Sequence, residues 1–539
     1  MPASVSLIRD FLLAFPVVNI FIVSLSLAVG VPISPAHILL SLLPCMIISV
    51  FWNNRPERRT IVVAVILLTI LFVAAIFLSI MLIDIYGDSR SYHGPAVIAL
   101  ADGWNPYYDW QICSWEEEYC IRTSKFIDHY PKAQWYLSAE FYSLFGNLDV
   151  GKCVNLLMLV LCSLVAYEIA RSLLPDHRVL SLMFSIGVAA NPVAVAQLFS
   201  GTVDGILSSA LSIFILLLIG YFFSRNRKYI HEAMLMIVFL VNLKFTGLIY
   251  VILFTILVVT IVAWSQRKIP KYLIFTSFIT LALSVFIIGF NPYVTNIVLE
   301  KNPFAQAIDI ESDSSVLDRQ ADSVFIEKTR FQKFLISTFS VGKQANPKKP
   351  EFAIPLSRWR LNRGISVRFS GFGPLFSAIF IIAIFQAARL REGPSIALVL
   401  GVLVTVFSTS AGWWPRLAPQ TWLVVCLVQL FVLASVTGAT DRRVTSTILA
   451  AMILNSALVF AGVFTYQQKA SAKYFRDIRD ATSGGLPVVV TDNRFGLHGL
   501  YNRRKLVDTL GNDEHIVEGC DTARRNRIFG ICEEQLPEH

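Results

Sequence analysis

Charge is what this 539-residue chain has least of: only 15% of its residues are Asp, Glu, Lys or Arg. A soluble domain carries roughly 25%. The sequence holds no Walker loop, no dinucleotide-binding glycine fingerprint and no HExxH helix, so nothing in it supports an ATP, nucleotide-sugar or zinc-protease site. None of its eight cysteines forms a CxxC pair of the zinc-binding kind, and its eight histidines do not cluster. Repeats of the transporter type are not apparent either.

What is there is apolar. Hydrophobic residues make up 55% of the chain, and the mean hydropathy is +0.61. They come in runs of about 18 to 23 residues, the length that crosses a hydrocarbon core of about 30 Å. Ile61–Ile83 and Tyr272–Phe290 are two of them. The first run begins near Phe11; only Arg9 precedes it as a cation and no small-residue cleavage site is clear, so it reads as a retained helix rather than a signal peptide.

The net charge of +9 is explained by where the cations sit, not by nucleic acid as a partner. Short basic loops at 55–59, 171–178, 225–228, 267–271, 389–391 and 442–443 recur after every second span. The positive-inside rule makes those loops cytoplasmic. One topology fits them all, with the N-terminus inside and thirteen spans near 11–31, 35–51, 61–84, 152–172, 179–199, 205–223, 231–245, 247–265, 272–290, 372–389, 395–411, 417–437 and 445–465. The expected fold is thus an all-α polytopic membrane protein. Residues 1–465 form its transmembrane domain, with outer loops at 85–151 and 291–371. Residues 466–539 form a small soluble outer-face α/β domain, with a helix near 470–481 and a strand near 486–491.

Four cysteines lie in apolar spans as small hydrophobes. The others form two pairs on the outer side, Cys113 with Cys120 and Cys520 with Cys532. Disulfides, which persist in an oxidising compartment, are the expectation, with a metal site as the alternative.

The first outer loop carries the chemistry. It opens DIYGDSRSYHGPAVIALADGWNPYYDW from Asp84. Asp88 lies just beyond the third span, where a carboxylate faces outer solvent within reach of a lipid headgroup. It can accept a proton from an acceptor hydroxyl or amine, or it simply ends the helix. Tyr92 follows by four, then an amphipathic helix over 95–101, then Gly103-Trp104-Asn105-Pro106-Tyr107. This pattern resembles the first outer loop of GT-C-fold glycosyltransferases, polytopic enzymes that use polyprenyl-phosphate-linked sugars as donors. The resemblance implies a GT-C-like fold, loop helices lying along the membrane at 95–101 and 132–145, and Asp88 as the catalytic base. Ser89 stands where many members carry a second acid.

Further polar residues gather at the outer boundary: Tyr92, His93, Trp104, Asn105, Tyr107 and Tyr130 in the first loop, with Lys132 as a phosphate ligand or a snorkelling lysine. Asp204, in SGTVDG, is either functional at that depth or a helix cap. Asn242 and Lys244 interrupt an apolar run near its outer end, where a polar pair marks a functional site by default. Arg368 ends a basic stretch of the second loop. Trp414 and Arg416, in AGWWPRLAPQ, pair an aromatic belt with a guanidinium fork suited to phosphate.

The expected function is transfer of a sugar from a polyprenyl-phosphate donor to a lipid or glycan acceptor on the outer face, without a required cofactor, though a divalent cation at Asp88 is compatible. Partners are the lipid-linked donor, the acceptor and membrane lipids. A bacterial inner membrane with a periplasmic site fits the charge pattern. The alternatives are a polysaccharide polymerase or ligase on lipid-pyrophosphate glycans and a lipid-linked-sugar flippase. A flippase should keep its ionisable residues near the midplane.

Overall fold

A computed structural model describes residues 1–116, 124–304, 325, 328–339, 371–408, 411–435, 438–483, 488–490, 497–510, 516–517, 523–525 and 529–532. Three helices open the chain: α1 (Ala3–Ala28), α2 (Ala36–Trp52) and α3 (Arg58–Ile80). The first outer loop holds α4 (Gly94–Asp102), α5 (Ile112–Trp115), α6 (Ser124–His129) and α7 (Ala133–Phe145). The bundle continues with α8 (Cys153–Leu173), α9 (Arg178–Ala189), α10 (Pro192–Ala196), α11 (Asp204–Ser224), α12 (Lys228–Leu243), α13 (Phe245–Gln266) and α14 (Lys271–Leu283). Two short helices, α15 (Thr295–Glu300) and α16 (Arg330–Phe339), belong to the second outer loop. Then come α17 (Phe376–Ala387), α18 (Gly393–Val406), α19 (Gln420–Ser435), α20 (Ala439–Ser483) and α21 (Leu497–Leu510).

A helix falls at each of the thirteen expected spans. Among the described residues seven are long and apolar enough to cross a membrane, and five shorter ones are apolar. The chain is a multi-pass integral membrane protein. Lipid must cover α3, because only 17% of its apolar window is buried, and Ile66, Ile70, Val73 and Phe77 point outward. In contrast, 89% of the corresponding window of α11 is buried, so α11 is the hub of the bundle.

Three boundaries differ from expectation. The first helix starts at Ala3, well before Phe11, because Arg9 and Asp10 are neutralised inside the bundle: Arg9 Nη2 donates to Glu232 Oε2 at 2.6 Å, and Lys228 Nζ lies 3.1 Å from Asp10 Oδ2. A buried charge persists only when so paired. The third helix stops at Ile80 rather than 84, and Asp88 therefore does not ride on the span itself. The helix of the thirteenth expected span, α20, runs unbroken for 45 residues, so the expected domain boundary at 465/466 falls inside it.

The tail does contain an α/β unit. Strands β1 (Val488–Val490), β2 (Ile516–Val517), β3 (Ala523–Arg525) and β4 (Phe529–Cys532) form one sheet in the order β2-β1-β4-β3. β1 pairs parallel with β2, and the other pairings are antiparallel.

Candidate active site

After α3 the chain turns inward. Asp84 Oδ2 accepts the Gly201 N–H at 2.6 Å and Oδ1 accepts that of Tyr86 at 2.9 Å. Burial raises the Asp84 pKa, an effect that Lys152 and these two N–H groups offset only in part. The Tyr86 hydroxyl donates to the Ala196 carbonyl at 2.5 Å. Asp88 is then the entry to a π-helical turn, Ser89–His93, closed by the Gly94 N–H on the Ser89 carbonyl. Such wide turns concentrate at functional sites.

Asp88 meets a cation from the far end of the sequence. Arg416 Nη1 donates to Asp88 Oδ2 at 2.8 Å and lies 3.7 Å from Asp204 Oδ2. Lys244 Nζ donates to Asp204 Oδ1 at 2.5 Å. Gln197 Nε2 donates to Asp204 Oδ2 at 3.3 Å, and its Oε1 accepts the Gly205 N–H at 2.7 Å. The result is a row of alternating charge: Asp88, Arg416, Asp204, Lys244. Burial alone would lower the Arg416 pKa, but Asp204 and Asp88 more than offset it and hold the guanidinium charged.

Local structure delivers each member. Asp204 is the first residue of α11, where a carboxylate favours the helix N-terminus. Lys244 is the single extended residue between α12 and α13. Gly247 allows that reversal, because a Cβ there would sit 2.1 Å from the Leu240 carbonyl oxygen. The Arg416 Nε is buried without a hydrogen-bond partner among the described residues. An orphaned donor on a cation is costly, and an incoming anion would satisfy it.

Aromatic rings stand beside the row. Tyr92 stacks on Phe126 at 5.4 Å between centroids and lies 6.0 Å from Tyr130, which stacks on Trp135 at 5.5 Å. Arg416 lies 5.7 Å from the Trp414 ring.

Other expected ligands do structural work instead. All three Lys132 N–H groups are spent, on the Asp128 carbonyl at 3.2 Å, the Tyr130 carbonyl at 3.0 Å and Asn291 Oδ1 at 2.5 Å. Burial pushes its pKa down to about 7, against the pull of Asp128. Trp104 is buried and donates to the Asp109 carbonyl; Asn105 donates to the Leu27 carbonyl, and Tyr107 to the carbonyls of Ile287 and Ile288. Trp104 thus ties the loop to itself, Asn105 bolts it to α1 and Tyr107 to the segment after α14. Asn242 donates to the carbonyls of Val238 and Ser284 inside the bundle. His93 turns away from solvent: its Nδ1 accepts the Trp135 Nε1–H at 2.8 Å, and its ring lines a cavity of about 30 Å³ with Asp84 and Gly201. The helix expected to be amphipathic, α4, is instead buried from Gly94 to Leu100.

Arg368, Cys120 and Cys520 lie outside the described residues, as does the side chain of Cys532. Cys113 Sγ is 3.6 Å from Ser124 Oγ. Among the described residues no three His, Cys, Asp or Glu side chains group as a metal site would require. Gln197 was missed because a glutamine in PVAVAQLFSG carries no local signal.

No family model and no curated protein matches this chain. Solved structures similar to it include ArnT from Cupriavidus metallidurans bound to undecaprenyl phosphate, at 13% identity and a TM-score of 0.39. The same protein in the apo state gives 13% identity and 0.37. Each comparison covers 84% of this chain and 89% of the other. Overlap at that level decides neither activity nor substrate.

Proposed function

We propose that this chain is a glycosyltransferase that moves a sugar from a polyprenyl-phosphate donor to a lipid or glycan acceptor on the outer face of its membrane. Asp88 is the base, and Arg416 and Lys244 receive the phosphate. The observation that carries this reading is the Arg416 guanidinium lodged between Asp88 and Asp204 with its buried Nε unsatisfied. A base and an anion-binding fork are thereby within one side chain's width of each other. The likeness of the first outer loop to those of GT-C enzymes supports the same assignment.

In the transfer, Asp88 takes the proton of the acceptor hydroxyl as its oxygen attacks the anomeric carbon. The bond from that carbon to the phosphate oxygen breaks, and the electron pair leaves with the polyprenyl phosphate. Arg416 and Lys244 neutralise the charge that develops there, which is where such a site lowers the barrier most. Attack and departure on opposite faces invert the anomeric configuration. Tyr92 and Tyr130 offer ring faces for the sugar or the prenyl chain.

The test supplies radiolabelled polyprenyl-phosphate sugars and native lipid acceptors to membranes bearing wild type or Asp88→Asn. Label transfer that a folded Asp88→Asn protein loses is the expected result. Transfer that survives the substitution removes Asp88 from the mechanism and favours a polymerase or ligase that relies on its cations. Absence of transfer from any donor defeats the enzyme reading.

A further inference from the structure

Nothing in the reaction above uses the tail, residues 466–539. Its described side chains point elsewhere, onto the segment that carries Asp88.

From α20, Gln467 Nε2 donates to the carbonyls of Ile83 at 2.8 Å and Phe199 at 2.7 Å. Ser471 Oγ accepts the Ile83 N–H at 3.0 Å. From α21, the Tyr501 ring lies flush on the backbone that closes the π turn: a Cβ at Gly94 would sit 2.3 Å from its Cδ2. Lys505 Nζ donates to Asp149 Oδ2, whose other oxygen accepts from Lys152 Nζ at 2.6 Å. Lys152 in turn donates to the Leu82 carbonyl. Arg504 Nη2 grips Asp102 at the far end of α4 at 2.5 Å, and Asp508 Oδ2 accepts the Leu148 N–H at 3.1 Å.

Helix α21 therefore holds residues 82–102 directly in the middle, at Gly94, and at the far end, at Asp102; the near end is held by α20 directly and by α21 through Asp149 and Lys152. Tyr501 and Lys505 are themselves buried, so these contacts are part of the interior, not a surface rest. Since α3 stops at Ile80, Asp88 is not part of that helix; the backbone that carries it is set by these contacts and by Asp84, while its carboxylate meets Arg416.

We infer that α21 is a clamp that sets the position of the base, with Tyr501 and Lys505 as positioning residues for the transfer. Neither touches the row of charges. Lys505 acts through Asp149 and Lys152 on Leu82, and Tyr501 acts through Gly94. A misplacement of about 1 Å at a reacting group costs on the order of 100-fold in rate. A loosened clamp should therefore lower kcat while leaving donor binding by Arg416 and Lys244 largely intact.

The experiment uses the full chain in lipid nanodiscs. Hydrogen exchange over residues 82–102 and transfer kinetics are measured for Lys505→Met, Tyr501→Ala and their conservative counterparts Lys505→Arg and Tyr501→Phe. The first two should exchange faster across 82–94 and lose about 10- to 100-fold in kcat, with the donor KM within about twofold. The conservative pair should stay near wild type. Arg504→Ala, which removes a more exposed grip, should give the same split in smaller measure if the buried variants misfold. Unchanged exchange overturns the clamp. Faster exchange with unchanged kcat, or a loss confined to KM, overturns the positioning role. The inference rests on Asp88 acting as base; if wild type transfers no sugar, that reading falls, and the exchange data still decide whether α21 holds the loop.

Discussion

Neutralising Asp204 should harm the protein more than neutralising Lys244, although the two form one ion pair. Asp204 has three partners: Lys244 at 2.5 Å, Arg416 at 3.7 Å and Gln197 at 3.3 Å. The only hydrogen bond from the Lys244 ammonium among the described residues goes to Asp204. Removing one partner of a buried pair costs about 3–5 kcal/mol when the other is left unpaired. The Lys244 side chain keeps 15% of its surface exposed, so some water reaches it, and about 2–3 kcal/mol is the better figure for Asp204→Asn. Lys244→Met leaves Asp204 still facing Arg416 and Gln197, and should cost about 1–2 kcal/mol. The double variant should cost no more than Lys244→Met alone, which leaves a coupling of about 2–3 kcal/mol. In a chain of this size each kcal/mol moves the melting midpoint by about 1–2 °C, so midpoints in detergent should fall by about 2–6 °C, 1–4 °C and 1–4 °C respectively. Added undecaprenyl phosphate extends the test. If the lipid phosphate lodges beside Lys244, it replaces the missing carboxylate and stabilises Asp204→Asn more than wild type. Binding at a hundredfold excess over Kd contributes about 2.7 kcal/mol. Equal single losses that add to within about 0.5 kcal/mol would show that the charges do not act as a unit. A larger lipid effect on wild type than on the variant would remove Lys244 from phosphate binding.

Two more outcomes follow from the groups that the structure takes away from the site. His93 is pushed down to about 4 by burial, against the pull of Asp88 and Asp204, and is therefore neutral in the fold. Between pH 6.5 and 4 the unfolded chain binds a proton that the folded one refuses, so stability should fall as pH drops through that window, by about 3 kcal/mol in all; a His93→Phe protein followed by thermal melts should lose that slope while being weaker at neutral pH. Lys132→Met should lower the melting midpoint by stranding three buried acceptors, at about 1–3 kcal/mol each before relaxation, and leave the donor KM unchanged at a permissive temperature; a raised KM with an unchanged midpoint would return Lys132 to the phosphate site.

The sequence is a good guide wherever a residue's cost is local. A span must hide its own backbone polar groups from lipid, so run length alone locates the helices, and Asp204, Lys244 and Arg416 stand out because each breaks an apolar or aromatic stretch. Asp88 is singled out in the sequence only by its neighbours. The same logic cannot separate Trp104, Asn105 and Tyr107 from ligand-binding residues, since polar and aromatic residues that anchor a loop look like those that bind a ligand until their partners are known. Lys132 is a similar case: its N–H groups go to two carbonyls of its own loop and to an amide oxygen from a distant one. Gln197, Tyr501 and Lys505 leave no trace in any window of sequence, because what each does depends on a partner at long range or on a turn whose direction is set by tertiary packing. The π turn after Asp88 is likewise a product of packing rather than of propensity.

The alternation of Asp88, Arg416, Asp204 and Lys244 also bears on how a ligand arrives. Two acids and two cations sum to zero, so the row behaves from afar as a string of dipoles. Its field fades faster than that of a bare cationic pocket, and within about 8 Å, the Debye length at physiological salt, little is left to draw an anion from bulk solution. For the polyprenyl-phosphate donor proposed above, capture would then depend on lateral travel in the leaflet, where a prenyl tail confines the search to two dimensions. On that proposal transfer should answer to lipid composition and membrane viscosity more than to ionic strength, and soluble phosphates should compete with it poorly.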